Sequence, residues 1–93
     1  NMYVDFIADE CRISRDLFFS NSRKKRYSTT RYIFYYICTQ RPMSVLNIID
    51  YMADNGFKVT RQNIEYGISK IEKDKDKDLW RLINSCIITF KNQ

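Results

Sequence analysis

The sequence predicts an all-α fold, a compact bundle of about six helices. Three observations carry that expectation. The 93 residues include only two glycines and one proline, too few for the turns of an all-β chain. Apolar side chains recur at three- and four-residue intervals in one segment after another. The one run that reads as a strand, YIFYYIC at 32–38, finds no second strand to pair with, and an isolated strand leaves its backbone unsatisfied. At this length a single domain, 1–93, with a modest core is expected.

Residues 2–11, MYVDFIADEC, place Tyr3, Phe6, Ile7 and Cys11 at helical spacing. Ser14 is placed to cap a second short helix, SRDLFF, with Asp16 in its favourable first turn and Leu17 and Phe18 as core anchors. The stretch SNSRKKR has no apolar residue and reads as a basic loop, bounded at 20–27. Residues 28–40 form a buried helix capped by Ser28 or Thr29. Ile33, Phe34, Ile37 and Cys38 face inward, and the helix stops before Pro42.

Ser44 caps SVLNIIDYMAD, whose Val45, Ile48, Ile49 and Met52 share a face. Asn55 and Gly56 end it, with Gly56 able to take the left-handed conformation after a helix. Thr60 is the best N-cap in the chain. Val59 before it and Ile64 after it have the spacing of a hydrophobic staple. Ile64, Ile68 and Ile71 form the buried stripe of the helix that follows, and Gly67 beside them leaves room for another helix to approach. The alternating KDKDKD at 73–78 is a solvated turn or helix start. Leu79, Leu82, Ile83, Cys86, Ile87 and Phe90 then outline a closing amphipathic helix.

The formal charge is +5, and its distribution is uneven. Between Arg12 and Arg41 stand eight basic side chains and one acid, Asp16, so the rest of the chain is slightly acidic. A polyanion partner is the direct implication; a merely solvated basic surface is the bland one. Cys11, Cys38 and Cys86 are odd in number, far apart and in apolar contexts. They fit neither a disulfide framework nor a zinc site, and read as reduced, mostly buried thiols of an intracellular protein. No apolar run is long enough to span a membrane and no signal-peptide pattern is present, so a cytoplasmic location is expected. Asn1 ahead of Met2 marks an appended residue or a piece of a longer chain.

Catalysis is not expected. The chain has no histidine, no phosphate-binding Gly-x-x-x-x-Gly-Lys and no paired carboxylates, so no catalytic residue, metal or cofactor is assigned.

Residues 44–73 read as a helix-turn-helix. Opposite its isoleucines the second helix presents Gln62, Glu65, Tyr66 and Ser69, with Arg61 at the N-terminal edge. Arginine reads guanine, and glutamine or asparagine reads adenine, in the major groove. Thr60, Arg61, Gln62 and Asn63 are the candidate groove contacts; Arg23, Lys24, Lys25 and Arg26 are candidates for the minor groove or backbone. Arg31 and Lys58 are expected to neutralise phosphates.

The order of these features resembles the C-terminal DNA-binding domain of the bacterial replication initiator DnaA, a helix-turn-helix of the Trp-repressor-like class. Ile13 with Asp16–Phe18, the basic loop followed by Arg31, and Lys70-Ile71-Glu72 carry the resemblance, which spans about residues 4–88. It implies that a basic-loop arginine enters the minor groove, Arg23 being the nearest match with Arg26 or Lys25 as alternatives. It also sets Arg31 on the family's helix-start arginine. The family's base-reading motif, Gly-Gly-Arg-Asp-His-Thr-Thr-Val, is replaced here by Phe57-Lys58-Val59-Thr60-Arg61-Gln62-Asn63-Ile64, after a longer turn. The resemblance therefore implies the fold and binding of double-stranded DNA, but not recognition of the standard DnaA box; the function expected is sequence-selective duplex binding in a replication-initiator-like or regulatory, nucleoid-associated setting. A phage or mobile-element relative or a divergent paralogue fits it. An upstream ATPase domain or replication proteins are the implied partners.

Two alternatives stay open. One is a helical protein–protein adaptor docking an acidic partner through its basic face. The other is single-stranded nucleic acid or RNA binding, with Tyr27, Tyr32, Tyr35 and Tyr36 stacking on bases, against which core packing of those tyrosines is favoured.

Overall fold

Short-range hydrogen bonds set most of the helix boundaries. In the computed structural model, which describes residues 2–41 and 43–91, six helices follow one another: α1 Met2–Glu10, α2 Arg15–Phe18, α3 Lys25–Thr39, α4 Val45–Asp54, α5 Arg61–Lys73 and α6 Lys77–Lys91. No strand is present among the described residues, so YIFYYIC is helical. Asn1 and Pro42, on which two expectations fell, lie outside the described residues.

Three predicted N-caps form as read. The side-chain oxygens of Ser14, Ser44 and Thr60 each accept the amide three residues on, all at 3.1 Å. Asp76, inside the predicted solvated turn, caps α6 by accepting from Asp78 N (2.8 Å) and Leu79 N (3.3 Å). At the end of α4, Gly56 takes φ +83°. Its amide reaches Ala53 O (3.0 Å), and the Phe57 amide reaches Met52 O (2.9 Å). That pair of bonds is a Schellman closure. The end of α1 closes the same way, with Ile13 N on Ala8 O and Arg12 N on Asp9 O, both 3.0 Å. Here the left-handed position is held by Arg12, at φ 58°.

Helix α3 is the axle of the bundle: it touches α1, α2, α4, α5 and α6, most extensively α5. Ile33, Phe34, Ile37 and Cys38 are buried as predicted, joined by Tyr35. One core cluster draws on all six helices, from Val4 and Ile7 through Phe18, Ile48, Met52, Ile64 and Ile71 to Ile83, Cys86 and Phe90. The close approach of α3 and α5 depends on Gly67. A Cβ there would lie 2.4 Å from Tyr32 Cδ1 and 2.9 Å from its Cγ, closer than side chains pack.

Three expectations are corrected. Helix α3 begins at Lys25, three residues before Ser28, so Lys25, Arg26 and Tyr27 are helical and the loop spans only 19–24. Leu17 is exposed, because a one-turn helix has a single inner position and Phe18 fills it. Ile68 is half-buried; the inner line of α5 runs through Ile64, Gly67 and Ile71. The helix expected over residues 2–11 forms as α1: Val4, Ile7 and Ala8 are its deepest residues, while Tyr3, Phe6 and, just beyond the helix, Cys11 pack around the edge.

Candidate nucleic-acid interface

Each element of the predicted interface is placed by bonds that lie beneath it. Thr60 and the Val59/Ile64 pair fix where α5 starts: Val59 and Ile64 are buried in the common core, while Thr60, Arg61, Gln62 and Asn63 are exposed. The Asn63 amide is taken by Thr60 Oγ1. The Arg61 and Gln62 amides have no partner among the described residues and face solvent at the positive end of the helix dipole. Arg61 leans on Glu65 at 3.7 Å along the same exposed face, a weak pairing at that exposure.

The loop is set by Arg31. The residue is 6% exposed, and its guanidinium donates to the carbonyls of Phe18 (3.0 Å), Ser20 (3.2 Å) and Ser22 (3.1 Å) and to Ser28 Oγ (3.4 Å). Its other side lies over the Phe57 ring, 4.8 Å from the centroid. Burial lowers its pKa from the ordinary value, yet a guanidinium remains charged at neutral pH. Arg31 therefore stitches the 19–24 loop to the turn between α4 and α5, and is not free to meet a phosphate as expected. Arg26 is turned the same way: it hydrogen-bonds to the carbonyl of Arg12 and, at 3.5 Å, to that of Cys11, closing the end of α1. Arg15 and Arg41 are tied internally as well, to Asp5 and Asn55 and to Tyr3 and Phe90.

The exposed cations that remain in the loop and the first turn of α3 are Arg23, Lys24 and Lys25, none with a side-chain partner among the described residues. Lys24 is the N-cap of α3 without a side-chain cap, and Lys25 and Arg26 fill its first turn with no acid. Like charges at the positive end of a helix dipole are unfavourable by about 0.3–1 kcal/mol each, and an anion relieves them.

The loop and α5 share one side of the molecule. A cleft of about 640 Å³ between them is bordered by Arg23 and Ser22 from the loop and by Asn63 and Tyr66 from α5, over a floor of Tyr32 and Phe57. A second cleft of about 440 Å³ continues it toward the C-terminal half of α5, with Arg23, Lys25 and Lys70 against a single acid, Asp74. Arg23, Ser28, Tyr32 and Tyr66 border both, so the two form one basic gutter. From Asn63 to Ile71 it runs about 12 Å at the helical rise of ~1.5 Å per residue. Lys58, exposed, sits between Phe57 and Val59, which also border the larger cleft.

Two residues of this surface carry more than their sequence positions suggested. Tyr66 is 56% exposed and stands at the junction of the clefts, its ring edge-on to Tyr32 at 6.0 Å with Lys70 5.8 Å from its centroid. Lys70 itself was visible in sequence as one turn beyond Tyr66. Of the four tyrosines considered for stacking, Tyr35 is buried and Tyr27, Tyr32 and Tyr36 are half-buried against the core; Tyr36 packs edge-on to Trp80 at 5.5 Å.

Among the described residues there is no group of three or more histidine, cysteine, aspartate or glutamate side chains able to hold a metal ion. No helix of the described residues is long and apolar enough to cross a membrane. The chain matches no family model, no curated protein and no solved structure.

Proposed function

We infer that this protein binds double-stranded DNA, with the N-terminal end of α5 in the major groove and the 19–24 loop on the flanking backbone or minor groove. The observation that supports this best is the shared cleft: Arg23 of the loop and Asn63 of α5 border the same cavity, so one duplex meets both. Residues 60–63 are all turned to solvent, and the turn of residues 55–60 is closed at both ends, by Gly56 and by Thr60. In this reading Arg61, Gln62 and Asn63 read base edges. Arg23, Lys24, Lys25, Lys58 and Lys70 neutralise phosphates, and the unpartnered Arg61 and Gln62 amides add a helix-terminal anion contact. Glu65 is suited to accept from a cytosine amino group.

The resemblance to the DnaA C-terminal domain agrees with this assignment and points to a sequence-selective role in replication initiation or regulation. It does so with altered base readers and with a different duty for Arg31. A binding series separates the classes: random duplex, single strand and RNA, each at two salt concentrations. Duplex binding that weakens steeply with salt is expected. An adaptor for acidic proteins gives no duplex binding even at low salt. Gln62→Ala is expected to cost more affinity on a selected site than on random duplex; equal losses remove Gln62 from the readers.

A further inference from the structure

The basic gutter combines two chemistries that a regular duplex does not use together. Rings and cations share it: Arg23, Tyr32 and Tyr66 border both clefts, Phe57 the larger, and Lys25 and Lys70 the smaller. Among the described residues no acid borders the larger cleft. Its volume, about 640 Å³, falls within the ~300–1,000 Å³ of small-molecule sites. Tyr66 is the decisive residue: a large ring left 56% exposed at the centre of a cationic channel is a stacking platform. Bases inside a duplex have their faces covered by their neighbours, so only an unpaired nucleotide can use it.

We propose that this gutter seats one unpaired nucleotide, its base against Tyr66 and its phosphate among Arg23, Lys25 and Lys70. The site rests on the duplex-binding reading to the extent that the same face grips the adjoining double helix. Its ligand is then the first unpaired residue at a duplex end, bubble or flap. A free mononucleotide has the same chemistry and is the other source.

The test uses fluorescence anisotropy on the full chain with four probes. These are a closed dumbbell duplex, that duplex opened to carry a short single-stranded tail, the same tail made abasic, and a fluorescent mononucleotide. The abasic tail keeps every phosphate and lacks every base. A stacked base contributes ~1–3 kcal/mol, so the normal tail should bind about 5- to 150-fold more tightly than the abasic one. Tyr66→Ala should bring that ratio to about one and Tyr66→Phe should keep it. Tyr66 is largely exposed, so both variants should fold, which circular dichroism checks. Preference for the tailed duplex with weak mononucleotide binding assigns the site to a strand; tight mononucleotide binding assigns it to the free ligand. A native ratio near one, or a ratio unchanged in Tyr66→Ala, overturns the proposal. Loss of dumbbell binding with the ratio intact overturns the duplex reading and leaves the nucleotide site standing.

Discussion

Replacing Arg31 separates an internal brace from a phosphate contact. The residue is 6% exposed, and its side chain bonds three carbonyls at 3.0–3.2 Å and lies 4.8 Å from the Phe57 ring centroid. Hydrogen bonds from a charged group contribute about 1.5–3 kcal/mol each, but not additively. In Arg31→Ala, water can reach the half-buried Ser20 and Ser22 carbonyls, whereas the hydrogen bond to Phe18 O is itself buried. A loss of about 3–4 kcal/mol follows. A chain of this size has roughly 5–14 kcal/mol in all, so the variant gives up between about a fifth and four-fifths of it. At ~4–8 °C per kcal/mol, the melting temperature should fall by about 12–30 °C. Arg31→Lys keeps the charge but loses the planar fork, and should fall between the two. Thermal and urea unfolding followed by circular dichroism give the numbers. A loss below about 1 kcal/mol, ordinary for a surface side chain, would refute the brace.

Gly67→Ala should destabilise by about 1–3 kcal/mol although alanine is the better helix former. The added carbon meets Tyr32 at 2.4 Å, and a second change, Tyr32→Leu, should recover part of the loss in a double-mutant cycle. Arg12→Gly should stabilise by up to ~1 kcal/mol in urea unfolding, since it relieves a left-handed non-glycine residue while keeping the carbonyl that Arg26 uses. Burial pushes the Cys38 and Cys86 thiols up to about 12 from 9.0. From pH 9 upward the unfolded chain releases protons that the folded one retains, so the urea midpoint should fall as pH rises above 9 and not change on this account below it. At pH 8 a thiol reagent should label Cys11 first and the other two only on unfolding; prompt labelling of all three contradicts the core as described.

Much of the helical frame was legible because it is local. A Ser or Thr cap needs only an amide three residues on, and the isoleucine spacing of α5 needs only its own period. Gly67 was legible for the same reason, as a missing side chain beside that stripe, although the structure sets it on the inner line itself. The start of α3 was not, because nothing local caps it: Lys24 offers no side-chain bond, and the neighbouring Arg26 bonds carbonyls fourteen and fifteen residues away. Arg31 was misread by type, since an arginine beside a basic loop suggests phosphate. Its spacing carried the better signal, because residues 31, 34, 35 and 38 share one helical face and the last three are plainly apolar or aromatic. The gutter was invisible because its walls, residues 21–23 and 63–70, meet only through the packing of α3 on α5.

The salt dependence of duplex affinity bears most directly on the whole account, measured for the native chain and for the triple variant Arg23→Ala, Lys24→Ala, Lys25→Ala. With five phosphate contacts, from Arg23, Lys24, Lys25, Lys58 and Lys70, the log–log slope should be about −4.5. The triple variant, which removes no buried group, should fold normally and give a slope nearer −2. Identical slopes, or no duplex binding by the native chain at low salt, would contradict it.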